Sequence, residues 1–207
     1  MTRKWIAALA AGAAAIAFAA DLPPDEMVRK TVDEVLAVIK ADKNLQAGNQ
    51  KKLLELVDAK VLPNFDFTRM TQLAMGRNWR DASDAQKEAL TREFRTLLVR
   101  TYSSSLSQYR NQTIEVKPLR IAPADTETTV KTVIVQAGGP GVPIDYSMAK
   151  GAAGWKVYDV VIDGVSLVTT YRGSFSDQIR QAGIDGLVKT LTDRNAAQSG
   201  AKAEVKP

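Results

Sequence analysis

The sequence predicts an α+β domain whose helices pack on one face of a curved antiparallel sheet. Three observations carry that prediction. Apolar residues recur at helical spacing from Val28 to Tyr109, alternate between Thr113 and Ile162, and return to helical spacing beyond Gly164. The alternating runs are separated by short turns such as Gly151–Gly154, the pattern of an antiparallel meander. Helices, then strands, then helices, without an internal repeat, is an α+β order with the helices segregated to one side.

The elements follow in chain order. Pro23-Pro24-Asp25 opens a first helix, because proline suits the first turn and acids suit the positive end of the helix dipole. Val28, Val32, Val35, Leu36 and Ile39 mark its face as far as about Lys40. Asp42 to Gln50 is a polar connector. A second helix spans Gln50 to Leu62 with Leu53, Leu54, Val57 and Val61 inward, and Pro63 ends it. Asp66 caps a short third helix with Met70, Leu73 and Ala74 inward, closed by Gly76 where a left-handed residue is wanted. Ser83-Asp84-Ala85-Gln86 is a capping box that starts a long helix to about Tyr109. Strands are expected over Thr113–Ile121, Thr126–Gln136, Val142–Lys150 and from Trp155 to Ile162, the last rich in β-branched and aromatic residues. Asp163-Gly164 is a turn. Val168, Tyr171, Phe175 and Ile179 then form one helical stripe, and Ile184, Leu187, Val188 and Leu191 a second one after Gly183. Residues 195–207 are rich in Ala, Lys and Gln without a stripe and read as a disordered tail.

The first residues have the layout of an export signal. Arg3-Lys4 is a basic start, Trp5 to Phe18 an uncharged Ala-rich run, and Ala17-Phe18-Ala19 a small-residue cleavage site, with Ala20 the alternative last residue. This divides the chain into a signal peptide (1–19), one domain (20–194) and a tail (195–207). The expected location is the periplasm.

Composition removes several kinds of chemistry. The chain of 207 residues contains no Cys and no His, so disulfides, thiolates and the commonest general base and zinc ligand are absent. Without Arg3 and Lys4, the 28 basic groups fall to 26 against 23 acidic ones. That excess is small and interleaved, unlike a nucleic-acid-binding surface. No acidic cluster has metal-ligand spacing, and no cofactor is expected. Gly138-Gly139-Pro140-Gly141 lacks the Lys-Ser/Thr of a phosphate loop. Asp145 and Asp159, beside Tyr146 and Tyr158, are carboxylates placed within strands. They are read either as a proton-abstracting pair in a cavity or as ordinary strand residues, one of them at a bulge. The inward Met and Tyr residues are likewise open to two readings, a solid core or a lined cavity.

Two stretches carry a resemblance. MGRNWRDASDAQKEALTREFRTLLVRTYSSSLSQY (75–109) and WKVYDVVIDGVSLVTTYRGSFSDQIRQAGIDGLV (155–188) resemble the MlaC, or toluene-tolerance, family of periplasmic phospholipid-binding proteins. The resemblance implies an NTF2-like domain with an apolar cavity between sheet and helices, no catalytic site, and a phospholipid as cargo. It implies a monomeric shuttle between inner and outer membranes that maintains outer-membrane lipid asymmetry. The partners it implies are an inner-membrane ABC-type lipid transporter complex and an outer-membrane lipoprotein complex. Lipid-tail contacts are expected at the inward positions Met70, Met75, Leu98, Tyr102, Tyr146, Met148, Trp155, Val157, Val160, Tyr171, Ile184 and Leu187. Arg80 and Arg172 are candidates to meet partners or a head-group phosphate, the ordinary alternative being surface ion pairs. Beside this stand a small-apolar-molecule carrier or isomerase-like enzyme on the same fold, and an interaction module with a solid core.

Overall fold

The computed structural model describes residues 22–107, 112–135 and 139–200. The expected signal peptide and residues 201–207 of the expected tail lie outside them. The described chain is an α+β fold. Helices α1 (Pro24–Ala41), α2 (Lys43–Gln46), α3 (Gln50–Lys60), α4 (Phe67–Met75) and α5 (Asp84–Ser107) precede five strands. These are β1 (Thr113–Val116), β2 (Glu127–Val135), β3 (Val142–Gly151), β4 (Gly154–Ile162) and β5 (Val165–Ser166), and α6 (Leu167–Gly200) follows them. The sheet is a pure antiparallel meander in the order β1-β2-β3-β4-β5.

Local chemistry sets the helix starts. The Asp66 carboxylate accepts from Arg69 N at 2.8 Å. Ser83 and Gln86 cap reciprocally: Gln86 N donates to Ser83 Oγ and Ser83 N to Gln86 Oε1. The expected polar connector Asp42–Gln50 contains α2 instead, because Asp42 caps it by accepting from Asn44 N and Leu45 N. The Lys52 ammonium that also reaches Asp42 holds its carboxyl below the usual range, with those backbone donors adding to the effect. β1 ends at Val116, short of the expected Ile121. Lys117 N still donates to Lys131 O, but Pro118 has no N–H to continue the ladder.

A bulge reshapes β4. Ser147 pairs with Asp159 but Met148 pairs with Val157, so Tyr158 is the extra residue. Val157 and Val160, three apart, can therefore both face inward. Asp163 (φ 49°) and Gly164 (φ 80°) form the hairpin turn to β5. Asp159 then starts α6. Its carboxylate accepts from Ser166 Oγ at 2.6 Å and from Val168 N at 3.1 Å.

The main core is solid where α5 and α6 meet the sheet. The Phe94 ring meets Tyr171 at 5.0 Å and Phe175 at 5.1 Å, both edge to face. Met75, Leu90, Leu97, Met148 and Leu187 are fully buried around them. A smaller cluster of Val35, Ile39, Leu45, Leu53 and Leu56 joins α1 to α2 and α3. Gly183, at φ 71° and ψ −178°, divides α6 into the two stripes read from the sequence. The second arm runs past the expected tail boundary at residue 195. Asn195 is buried: its Nδ2 donates to Glu93 O at 2.9 Å, and its backbone carbonyl accepts from Arg100. The reading of a tail from that point is therefore corrected. A periodicity argument counts only apolar residues, and here a polar one makes the contact.

Three stability outcomes follow from these contacts. Asp159→Ala should lower unfolding free energy in urea by ~1–2 kcal/mol, the usual scale of a lost cap. Asp145→Ala, which removes no side-chain hydrogen bond among the described residues, should stay within ~0.5 kcal/mol. Asn195→Ala should cost ~1–3 kcal/mol because it removes the part-buried bonds to Glu93 O and Glu93 Oε2, one of them to a charged group. An unchanged midpoint for either Asp159→Ala or Asn195→Ala would contradict the role given to that side chain.

Candidate functional site

Two apolar cavities lie between the sheet and the helices. The first, of about 160 Å³, is bounded by one face of α1, where Met27, Val28, Thr31, Val32, Val35 and Leu36 look onto Ile114, Tyr146 and Val157 of the sheet. The second, of about 220 Å³, lies beneath α4 and α5. Met70, Leu98, Val99 and Tyr102 form its roof, Ile144, Tyr146, Val160 and Ile162 its floor, and Leu167 one end. Val61, Phe65 and Tyr146 line both, so the two are lobes separated by a shared partition.

The partition has a local cause. After α3 the chain crosses as a strap that reaches the open edge of β4. Asp66 N donates to Val157 O at 2.8 Å, and Phe65 bridges to Val157 in parallel. Phe65 stacks on Phe67 at 5.6 Å. The bulge at Tyr158 gives each lobe one valine of β4: Val157 goes to the first and Val160 to the second.

Neither lobe is lined by an Asp, Glu, Lys or Arg. The few polar groups are neutral and mostly engaged. Thr31 Oγ1 donates to Met27 O and accepts from Asn64 Nδ2, and Gln50 Nε2 donates to Ser103 Oγ. Burial pushes the Tyr146 hydroxyl above its ordinary pKa, with a hydrogen bond to Thr132 opposing the shift. Burial, and then Tyr171, raise Tyr102 in the same way. Both phenols therefore stay protonated at neutral pH. Such walls offer dispersion contact and dryness to a hydrocarbon, and nothing to a charged group. A wider polar groove of about 830 Å³ lies outside the strap, sharing Phe65 and Phe67 with the second lobe.

The candidate residues divide into two groups. Met70, Leu98, Tyr102, Tyr146, Val157 and Val160 stand at the lobe walls. Met75, Met148, Trp155, Tyr171, Ile184 and Leu187 line neither lobe; like the wall residues, they belong to or pack against the main buried cluster. Periodicity identifies an inward side chain without saying whether it meets a void. The face of α1 was legible as Val28, Val32 and Val35 but read as core. Phe65, in a loop without a period, gave no signal.

The two strand carboxylates stand away from the lobes. Asp145 alternates with the wall residues Ile144 and Tyr146 and so belongs to the opposite face of β3. Asp159 is spent on capping α6. No group of His, Cys, Asp and Glu among the described residues is arranged to hold a metal ion. Arg80 and Arg172 are exposed and make no ion pair among the described residues.

Known proteins are similar to this chain. The phospholipid-binding protein from Ralstonia solanacearum, solved in complex with a phospholipid, is 42% identical with a TM-score of 0.79, covering 86% of this chain and 99% of that one. The toluene tolerance protein ttg2D of Pseudomonas putida is 26% identical over 190 residues, 91% of this chain and 87% of its own length. The intermembrane phospholipid transport system binding protein MlaC of Haemophilus influenzae is 24% identical over 182 residues, 86% of this chain and 85% of its own. The family model described as MlaC protein matches residues 29–193, most of the length, and the chain belongs to that family.

Proposed function

We infer that this protein is a periplasmic phospholipid carrier, exported by residues 1–19 and folded as one domain, that moves lipid between inner and outer membranes and so maintains outer-membrane asymmetry. One observation carries the reading: two uncharged lobes diverge from a single partition at Val61, Phe65 and Tyr146. A diacyl lipid has the matching shape, two hydrocarbon chains leaving one glycerol. Each lobe takes one chain, and the polar head stays outside with solvent. The solved Ralstonia relative, bound to a phospholipid, supports the same cargo. An isomerase-like role has no support from Asp145 or Asp159, which face away from the lobes. The partners on this reading are an inner-membrane ABC-type lipid transporter and an outer-membrane lipoprotein complex.

The energetics suit a carrier. Complete burial of two tails, on the order of 30 methylenes at ~0.8 kcal/mol each, would give ~24 kcal/mol over water, an upper bound because lobes of about 160 and 220 Å³ hold only part of that length. A bilayer offers nearly the same gain. Exchange between protein and membrane is therefore close to balanced, and direction comes from the partners.

Native mass spectrometry of the purified protein should show one diacyl phospholipid per chain; a consistently bare chain would sink the reading. Val32→Trp fills the first lobe and Val99→Trp the second, each from a half-buried position where overpacking costs ~1–3 kcal/mol. Each single variant should lose diacyl lipid yet keep a single-chain lysophospholipid, and the double variant should keep neither. Full diacyl occupancy in both single variants would refute one chain per lobe.

A further inference from the structure

The two sequence stretches GRNWR and YRGSF converge on one surface. Arg77 lies on the 3₁₀ turn Gly76–Trp79 and Arg80 is its C-cap. Residues i and i+3 of such a turn eclipse, so both side chains project the same way. Arg172, on α6, lies across Gly76: a Cβ added there would stand 3.3 Å from its Nε. Gly76 itself sits at φ 57° and ψ −132°, which favours glycine. The backbone thus seats Arg172 beside the turn that carries the other two.

All three arginines are exposed, and none has a side-chain hydrogen bond or ion pair among the described residues. Other surface arginines do find carboxylates: Arg69 pairs with Glu127, Arg95 with Asp58 and Arg180 with Asp177. Asp81, next along the chain, offsets only one of the three charges. The geometry points to a docking face for an acidic protein surface, read by Arg77, Arg80 and Arg172.

The chemistry favours a protein over a bilayer. A guanidinium presents a planar fork that matches carboxylates and fixes register. Binding to a membrane surface by charge alone gains only ~1 kcal/mol per cation and needs an apolar anchor to hold. The exposed large apolar residues, Leu22, Val38, Val135 and Val165, lie neither on the turn nor on α6. The face is also joined to the cargo site. α4, which leads into the turn, gives Met70 to the second lobe, and α6 gives it Leu167. A partner on the arginines therefore sits on α6 and on the turn that follows α4, two of the several elements that wall that lobe. The choice of partner rests on the carrier reading.

The test compares wild type, R77E/R80E/R172E and a control reversal at exposed cations elsewhere, K43E/K51E/K131E. The probes are the purified lipid-binding ring of the transporter, the outer-membrane lipoprotein complex from the same organism, and vesicles of phosphatidylcholine with phosphatidylglycerol. The expected result is at least ~10-fold weaker binding of the arginine variant to one of the proteins, with a flatter salt dependence, while the control binds like wild type. Its bound lipid by native mass spectrometry should be unchanged. Equal binding of wild type and arginine variant to both proteins overturns the docking face and leaves the carrier reading standing. Loss confined to the vesicles, or equal loss in the control, also overturns it. Wild type that binds neither protein overturns it too, and lipid content then decides separately whether the carrier reading survives.

Discussion

A single backbone hydrogen bond, Asp66 N to Val157 O, fixes the geometry on which the interior depends. It pins the strap after α3 to the open edge of β4, a stretch that β5 is too short to cover because it pairs only with Val161 and Ile162. The same Asp66 turns its carboxylate to the first turn of α4. One residue thus joins the strap to the sheet and launches the helix that roofs the second lobe. Without that junction Phe65 would have no fixed place, and the interior would have no partition.

The bulge in β4 complements the strap. In a regular strand Val157 and Val160 would fall on opposite faces. Inserting Tyr158 lets both face inward, one to each lobe. Tyr158 itself is left outside, where Arg69 lies 3.8 Å over its ring and also pairs with Glu127. The extra residue therefore shapes the interior and gains an exterior packing partner, which ties α4 to β2 and β4 across the edge.

Much of this was legible beforehand. Caps and turns were, because their chemistry is local: Asp66, Ser83 with Gln86, Gly76 and Asp163-Gly164 stand where their side chains or backbone freedom required. The order of elements followed from the two apolar periods. Cavity and core could not be told apart, since both demand the same inward apolar residue. Met70 and Met75 show the limit: they are five apart on one short helix, both fully buried, yet only Met70 reaches a lobe. Phe65 and Asn195 escaped for the opposite reason, one having no period around it and the other being polar.

Residues that line neither lobe explain how a hollow protein stays folded. Met75, Met148 and Leu187 are fully buried in the main core with Phe94 and Phe175, and Tyr171 packs on both rings. Unfilled apolar space forfeits dispersion contacts and destabilises the fold in proportion to its volume. A domain with cavities along α1 and under α4 must recover that loss where packing is complete. The buried aromatic trio and the Asn195 clasp between α5 and α6 supply it. The solid half can hold the sheet in shape while α1, tied to the rest by its smaller cluster with α2 and α3, borders the hollow half. Stability and vacancy are thus assigned to different elements, and the same inward pattern in the sequence serves both.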